Sequence, residues 1–438
     1  MTTASTITNR TRGNRRGSPR FFCAFGAGGN SPSRACPRLP SHSPGFWLPF
    51  LFCLLLSLTA ACAQQQPVVH PVQKKATTTA PDENEIVIAA VGDIMMPASI
   101  QSAAAGNKQG YDLLFEKIAP DLGAADITFA NLETMADQKA PVSGYPKFNA
   151  RPALLEALKK SGIDIVSVAN NHAMDAGAEG LKRTLDNIEA AGLAFSGAGR
   201  TKAESSKVTY LTAHGVNVAF LSYTYSTNQR LPPRSENAPG VNIIGVGLVA
   251  DLSRAAARVR QAKKAADLVV VSMHWGEEYS TNPTPWQRQV ATELIEAGAD
   301  IILGHHPHVL QPIESYSARD GRVGLIAFSL GNFISSQNNG VSYEDTTHHK
   351  ALRGDGIILR ITALKEKGRS MVVRAEFLPI WTLRETIGRA TVNRPVSLDR
   401  ELSLLGSKQQ RSTTDDKIIK LLTYRQQLII RTLTGKPE

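Results

Sequence analysis

The segment DIVSVANNHAMDAG, residues 164–177, is the most informative part of this chain for its architecture. It begins with an apolar run that lacks a regular alternation of apolar and polar side chains, which is typical of a parallel strand covered on both faces. Asn170, Asn171 and His172 follow directly, where the carboxyl end of that strand would lie. Ligands gather at the carboxyl ends of strands in α/β sheets. The segment therefore predicts a buried strand that ends at a functional site.

Five other apolar runs end at a polar cluster in the same way. The clusters are Gly92-Asp93, residues 131–133 (Asn-Leu-Glu), residues 274–276 (His-Trp-Gly), residues 304–308 (Gly-His-His-Pro-His) and residues 329–332 (Ser-Leu-Gly-Asn). Segments with apolar residues at helical spacing alternate with the runs, which predicts an α/β domain. Carboxylate, amide and imidazole groups are the ligands that many divalent metals prefer. The pattern thus predicts one metal-centred site assembled from several strands.

The later part of the chain is richer in strands. Residues 355–363 and 371–379 alternate apolar and polar side chains, which indicates antiparallel strands. Residues 416–433 carry apolar side chains at helical spacing. We therefore expect two packed sheets with helices outside, in a domain over residues 85–385, and a C-terminal tail with a helix over residues 386–438.

The first 62 residues have the composition of a signal peptide. Residues 1–45 contain seven arginines but no aspartate, glutamate or lysine, and residues 46–61 are apolar but short for a membrane span. The segment TAAC at residues 59–62 resembles a bacterial lipobox, which implies lipidation of Cys62; the alternative is an ordinary secretion signal cleaved near Ala63. With residues 63–84 as a flexible linker, we expect an exported lipoprotein, held on the membrane of the cell envelope by its lipid anchor and facing the periplasm or the exterior.

Cysteine content and charge exclude several classes of site. The four cysteines all lie within residues 1–62, so the folded part has no thiol nucleophile, thiolate metal site or disulfide. The formal net charge of +11 falls to +4 when the seven arginines of residues 1–45 are set aside. No basic run with interleaved aromatic residues remains, so we expect no nucleic-acid partner.

The clusters contain candidates for both metal ligation and proton transfer. Asp93 and Glu133 offer carboxylates at strand ends, and Asn171 offers an amide oxygen. His172 is suited to acid–base chemistry, and Asp175 would orient its imidazole through the second ring nitrogen. The alternative for Asn171 is the N-cap of a following helix.

The histidines after the later strands give the sharpest signal. His306 and His308 are separated by one proline, and in an extended segment two such side chains point to the same side. They could hold one metal together or one of two nearby metals each, while His305 would point away. His274 closes a very apolar strand and is either a ligand or a core residue. Such a centre predicts metal-assisted hydrolysis of a phosphate ester or an amide.

The six motifs, which run in order from residue 86 to residue 334, resemble the CapA-type poly-γ-glutamate capsule synthesis family. That family is similar in fold to the calcineurin-like metallophosphoesterases. The resemblance implies the α/β class with a four-layer α/β/β/α sandwich resembling metallophosphoesterases, and a centre that binds one or two divalent ions, manganese, zinc or iron.

The resemblance also implies roles for individual residues. Asp93, Asn171 and His308 resemble metal ligands, His274 and His306 resemble ligands of a second metal, and His172 resembles the catalytic acid. Glu133 is the nearest equivalent of a bridging aspartate, and Met95 stands where phosphoesterases have histidine. Glu278 and Asn332, in the fourth and sixth motifs, are expected to lie behind the ligands.

Three functions are compatible with this resemblance. The first is an envelope-associated protein of poly-γ-glutamate synthesis, export or processing with a metal-dependent hydrolase site, acting on an anionic γ-glutamyl polymer or peptide. The second is a non-catalytic, membrane-anchored subunit of a membrane synthase complex. The third is a metal-dependent phosphoesterase.

Overall fold

The computed structural model describes residues 69–71, 85–233, 235–345, 347–388 and 390–434. The predicted signal peptide and lipobox with Cys62 lie outside these residues, as does most of the predicted linker over residues 63–84. All of the described residues belong to one unit, Ala63–Glu438. No helix within the described ranges combines the length and the apolar character that a membrane span needs.

The strands of the described residues form two large sheets and one small one. In chain order they are β1 (Val69–Pro71), β2 (Glu85–Ile94), β3 (Ile127–Leu132), β4 (Ile165–Ser167), β5 (Ala194–Ser196), β6 (Ala198–Gly199), β7 (Thr209–Ala213), β8 (Val216–Thr224), β9 (Gly240–Val241), β10 (Leu268–His274), β11 (Ile301–His305), β12 (Leu310–Ser317), β13 (Val323–Leu330), β14 (Asn332–Ile334), β15 (Asp355–Glu366), β16 (Arg369–Ile387) and β17 (Ala390–Ser397).

The helices of the same residues lie mostly between strands. They are α1 (Ala98–Ala105), α2 (Asp112–Phe115), α3 (Ala119–Leu122), α4 (Ala153–Lys160), α5 (Gly177–Ala190), α6 (Lys202–Ser205), α7 (Val249–Ala265), α8 (Pro285–Glu296), α9 (Leu398–Gly406) and α10 (Thr413–Thr434), with a 3-10 helix at His349–Gly354. Helix α8 shows why a helix begins where it does, because Thr284 and Gln287 form a reciprocal capping box around Pro285.

The first large sheet has the strand order β1-β16-β15-β2-β3-β4-β5, with β14 added beside β2 and β17 beside β16. Strands β2 to β5 are parallel, and β15, β16 and β17 form antiparallel pairs. The second sheet has the order β12-β13-β11-β10-β8-β7, with four parallel strands between antiparallel edge strands. The apolar runs without alternation are thus the parallel strands, as predicted.

The chain passes from the second sheet to the first at Gly331, between β13 and β14. The φ angle of Gly331 is +68°, and a Cβ there would lie 2.5 Å from the backbone oxygen of Asp355, so the position requires glycine. Its carbonyl accepts a hydrogen bond from the backbone N–H of Asp93 at 3.1 Å. The crossing therefore holds the carboxyl end of β13 against that of β2.

Three apolar clusters separate four layers of secondary structure. One lies between the first sheet and its helices and includes Leu185 of α5. The second lies between the sheets, where Phe129 and Phe220 stack with ring centroids 6.0 Å apart. The third lies between the second sheet and helices α7 and α8, and includes Leu294. The predicted α/β class with a four-layer α/β/β/α sandwich is confirmed.

The structure places one strand inside the predicted linker and another across the boundary predicted near the C-terminus. Val69–Pro71, inside the predicted linker, pair in parallel with β16, because an unpaired strand edge offers backbone groups to an added strand. The boundary predicted between residues 385 and 386 lies inside β16. The expected C-terminal helix is α10, whose Leu422 and Ile429 belong to the apolar cluster between the sheets. The C-terminal residues therefore pack as part of the sandwich.

Candidate metal centre

The structure brings six predicted ligands together at the carboxyl ends of the parallel strands. All six side chains are buried; they are Asp93, Glu133, Asn171, His274, His306 and His308. Two groups of ligand atoms each lie within 4.8 Å of one another. Glu133, His306 and His308 form one group, and Glu133 is shared with a second group that contains Asp93 and His274.

Short contacts link these ligands across the two sheets. His274 Nε2 lies 3.0 Å from Asn171 Oδ1 and 3.7 Å from Glu133 Oε1. His308 Nδ1 lies 3.0 Å from Asp93 Oδ2, and its Nε2 lies 3.8 Å from Glu133 Oε1. Glu133 therefore follows a strand of the first sheet but lies between imidazoles that follow strands of the second sheet.

The two carboxylates have opposite pKa shifts. Burial alone would raise the pKa of Asp93, but the interactions with His305 and His308 outweigh it and hold the pKa well below its usual range. Burial, followed by the negative charges of Asp93 and Glu278, raises the pKa of Glu133 well above its usual range. The Glu133 anion thus lacks a positive partner in this environment, which is the electrostatic condition that a bound cation would relieve.

The imidazoles of His274 and His306 are held in the neutral state that metal ligation requires. Burial, with the neighbouring His306 second, lowers the pKa of His274 well below its usual range. Burial, with His308 second, lowers the pKa of His306 to about 3. The rings of His274 and His306 are 4.7 Å apart, so protonation of both would place two positive charges side by side. Neutral imidazoles leave nitrogen lone pairs free for a metal.

Buried polar atoms without partners show that the residues fit a divalent cation. Among the described residues, both carboxylate oxygens of Glu133 and Nδ1 of His306 are buried and accept no hydrogen bond. Such atoms are costly in a protein interior unless a ligand or an ion satisfies them. The oxygen and imidazole donors suit manganese, zinc or iron.

His172 and Asp175 form a hydrogen-bonded pair beside this centre. His172 Nδ1 lies 2.6 Å from Asp175 Oδ2, which also accepts a hydrogen bond from the backbone N–H of Phe148 at 2.8 Å. The Phe148 ring packs 4.7 Å from the His172 ring, and Asn228 Nδ2 lies 3.5 Å from His172 Nε2. The pair therefore fixes one ring nitrogen and leaves Nε2 beside Asn228. Asn171 does not cap a helix, since α5 begins six residues later at Gly177.

A family model described as bacterial capsule synthesis protein PGA_cap matches residues 87–337, a range that contains the six buried ligands and His172. The chain belongs to this bacterial capsule synthesis family. The match covers more than half of the chain, from β2 to the residues that follow β14.

The names of similar proteins are consistent with membership of the PGA_cap family. The capsule biosynthesis protein CapA of Bacillus anthracis is 33% identical over 297 residues, which are 66% of this chain and 67% of that protein. The PGA biosynthesis protein CapA of Bacillus subtilis is 33% identical over 66% of this chain and 71% of its own length. A probable polyglutamine synthesis accessory protein of Mycobacterium tuberculosis is 26% identical over 61% of this chain and 69% of its own.

Among solved structures, a calcineurin-like phosphoesterase from Bacillus subtilis aligns with 79% of this chain and 99% of its own. The identity is 13% and the TM-score is 0.34.

Two expectations about the histidines of the fifth PGA_cap motif are wrong. His305 does not point away, because its Nδ1 lies 3.3 Å from Asp93 Oδ1. The segment of His306 and His308 is not extended, since their φ angles are +96° and +57°. The left-handed backbone lets the His306 N–H approach Asp93 Oδ2 at 3.2 Å, and the two rings still lie 5.9 Å apart.

Glu278 and Asn332 take different positions. Asn332 Oδ1 lies 3.1 Å from His308 Nδ1, and its amide donates to the backbone oxygens of His308 and Arg353 at 3.2 Å and 2.9 Å. Asn332 therefore fixes the orientation of the His308 ring through its Nδ1 atom. Glu278 is exposed at the rim and acts on Glu133 through its charge.

Two asparagines that were not predicted as site residues, Asn131 and Asn170, support the predicted ligands. Asn131 Nδ2 donates to Asp93 Oδ1 at 2.8 Å and lies 3.3 Å from His274 Nδ1. Asn170 donates to the backbone oxygen of Leu132 at 2.8 Å, which ties β4 to β3. Asn131 stands two residues before Glu133, and strand periodicity places both on one side, so the motif itself contained the signal.

Proposed function

We propose that this PGA_cap family member is an envelope-associated, metal-dependent hydrolase that acts on an anionic γ-glutamyl polymer or peptide during capsule synthesis or processing. The names of the CapA relatives support the polymer and the envelope. The observation that carries the proposal is the buried Glu133 carboxylate, which accepts no hydrogen bond from the described residues and faces His274 and His308.

The six buried ligands would hold one or two divalent ions. When bound, such ions lower the pKa of a bound water and stabilise negative charge in the transition state. Glu133 would contribute to both ligand groups, and Asn171 would supply a neutral oxygen beside His274. Met95 is buried next to this region, at the position where phosphoesterases have histidine. It supports the proposal that the centre has fewer ligands than two metal ions need.

His172 would supply the proton that the leaving amine needs. Asp175 accepts a hydrogen bond from Nδ1 and stabilises the protonated ring, so that Nε2 carries the mobile proton. Phe148 packs edge-on against the ring and limits its rotation. These contacts support a role for His172 as a positioned acid rather than as a metal ligand.

The test combines metal analysis with two substrates. We expect the purified chain to contain a divalent metal and to cleave γ-linked oligoglutamate only in its metal-loaded form, and His306→Ala and His308→Ala to lose the metal. Normal metal content in both variants would contradict the metal centre. Cleavage of an aryl phosphate but not of the oligomer would favour a phosphoesterase.

A non-catalytic subunit would behave differently in cells. If His172→Ala abolishes capsule formation while folding and metal content stay intact, the non-catalytic function is excluded. If capsule formation persists in that variant, the cell does not require catalysis by His172.

We also propose that Cys62 is lipidated and that the anchored chain works beside a membrane synthase complex. The lipobox-like residues 59–62 support this part of the proposal. Incorporation of labelled palmitate into the wild-type chain, and its loss in Cys62→Ser, is the expected result. Equal labelling of both chains, or labelling of neither, would contradict the anchor.

A further inference from the structure

Arg353, at the rim of the metal centre, is stacked on an aromatic ring and pairs with no anionic side chain of the described residues. We propose that Arg353 binds a carboxylate of the substrate next to the bond that is cleaved, an inference that rests on the proposed function and names the residue that selects an anionic chain.

Tyr279 holds the guanidinium close to the ligands. The Cζ atom of Arg353 lies 3.7 Å from the centroid of the Tyr279 ring, and that ring lies 6.2 Å from the ring of His308. The backbone N–H of Tyr279 donates to the carbonyl of Pro307 at 2.7 Å, so the tyrosine is fixed to the segment that carries the ligands. Arg353 is therefore one aromatic ring away from the metal centre.

The backbone of Arg353 is fixed by the same network. Its carbonyl accepts from Asn332 Nδ2 at 2.9 Å, and Asn332 also contacts His308. The side chain is half-buried, and among the described residues it forms no ion pair and no hydrogen bond. A guanidinium stacked by its face leaves its N–H edge free, and that edge matches a carboxylate in a two-point hydrogen bond.

Two further cationic side chains lie near Asp175, the hydrogen-bond partner of His172. Lys147 and Arg230 line a pocket with Asp175, and neither forms an ion pair with another described residue.

This arrangement suits a chain with regularly spaced carboxylates. A γ-linked glutamate chain carries one free α-carboxylate per residue. The scissile amide therefore has a free carboxylate on each of its two sides. Arg353 would take the carboxylate on the His308 side, and Lys147 and Arg230 would face the one on the His172 side.

The experiment measures binding rather than turnover. Calorimetry with the metal-loaded full chain would give the Kd of a γ-linked glutamate pentamer for the wild-type Arg353, Arg353→Ala and Arg353→Lys, each in a His172→Ala background that slows cleavage of the pentamer. We expect Arg353→Ala to weaken binding at least tenfold and Arg353→Lys to weaken it less, because lysine keeps the charge but loses the two-point contact. Arg319→Ala is the matched control, since Arg319 is 92% exposed on the turn between β12 and β13.

Unchanged metal content and thermal midpoint in the Arg353 variants would show that they fold. An equal Kd for the wild type and Arg353→Ala, or no binding by the wild type, would overturn the inference. Inorganic phosphate that competes as strongly as the pentamer would overturn the assignment to a carboxylate.

The two proposals fail in different ways. Binding that depends on Arg353 but is not followed by cleavage would contradict the hydrolase function and support the role of Arg353. Cleavage with a KM that Arg353→Ala leaves unchanged would keep the hydrolase function and remove the inference.

Discussion

Glu133 is the residue whose surroundings point most directly to a bound cation. Its carboxylate is buried, neither oxygen accepts a hydrogen bond from the described residues, and burial raises its pKa. Asp93, a few ångströms away, is compensated by His308 and by the backbone of His306. An uncompensated buried carboxylate costs several kcal/mol of stability, so it persists where a ligand binds it.

Glu133→Gln should abolish stabilisation by metal. In the wild type, metal at about 100 times its Kd should raise the free energy of unfolding by about 2.7 kcal/mol. The glutamine variant should lose this rise, while its metal-free thermal midpoint should not fall, because the amide carries no charge to desolvate. Calorimetric scans with and without manganese check this, with exposed Glu277→Gln as the control. A full metal-induced shift in Glu133→Gln would contradict the role of Glu133.

His172→Ala should lower kcat for the γ-linked oligomer by about 10²- to 10⁴-fold, the range for general acid catalysis. Metal content should not change, because His172 is paired with Asp175 rather than with the ligands. The surface pair of His214 and Asp126, 2.9 Å apart, supplies the control variant His214→Ala. Loss of metal in His172→Ala, or an unchanged kcat, would count against the assignment.

At the scale of elements, the close approach of β2 to the crossing at Gly331 positions Asp93. A Cβ on Gly92 would lie 2.0 Å from the carbonyl oxygen of Gly331, so the strand and the crossing fit together only with glycine. The Asp93 N–H donates to that same oxygen. Packing of two backbones, rather than a side-chain contact, therefore sets the position of Asp93, a predicted ligand.

Gly92→Ala should lower the free energy of unfolding by about 1–3 kcal/mol and weaken metal binding, because β2 must move away from residue 331. Gly123→Ala is the matched control, since its Cβ would meet the Ala119 oxygen at an ordinary 3.5 Å. That change should stay within about 1 kcal/mol. Denaturant unfolding and metal titration measure both effects, and equal results for the two variants would refute the role of the close approach.

A buried ion pair attaches helix α10 to the sandwich. Arg425 Nε donates to Asp355 Oδ1 at 2.9 Å, and both side chains are buried. Burial raises the pKa of Asp355 to about 6, although Arg425 opposes the shift. Because the folded pKa lies above the usual value of 3.8, the contribution of Asp355 to stability falls as the pH rises through about 4 to 6.

Arg425→Met should cost about 3–5 kcal/mol of unfolding free energy at pH 7, because it leaves the Asp355 carboxyl buried without its partner. The deficit should narrow toward pH 4, where Asp355 is neutral. Arg400→Met, which breaks a partly exposed pair with Asp121, should cost at most about 1 kcal/mol. Denaturant unfolding at pH 4 and pH 7 checks this, and a deficit that is the same at both pH values would contradict the role of Asp355.

At the scale of the whole molecule, the sequence predicted the sandwich because its main signals are local. Apolar runs that end in polar clusters, such as the run before Asn171, predicted the parallel strands and the edge at which the candidate ligands meet. Strand periodicity also indicated the antiparallel β15 and β16. These patterns depend on near neighbours in the chain, which a sequence displays directly.

Features that depend on distant parts of the chain were not predicted. The pairing of Val69–Pro71 with β16 and the packing of α10 between the sheets join residues far apart in sequence. The left-handed backbone at His306 follows from the approach of Asp93 on another strand. The stacking of Arg353 on Tyr279 likewise needs the folded rim. No local pattern encodes such contacts.

Anomalous diffraction from crystals of the full chain grown with zinc tests the central claim most directly. We predict a peak at the carboxyl ends of the parallel strands, about 2.0–2.2 Å from an oxygen of Glu133 and from an imidazole nitrogen of His274, His306 or His308. The peak should be absent in crystals of Glu133→Gln. A zinc peak that lies only at surface sites, away from Glu133 and these histidines, would contradict the account.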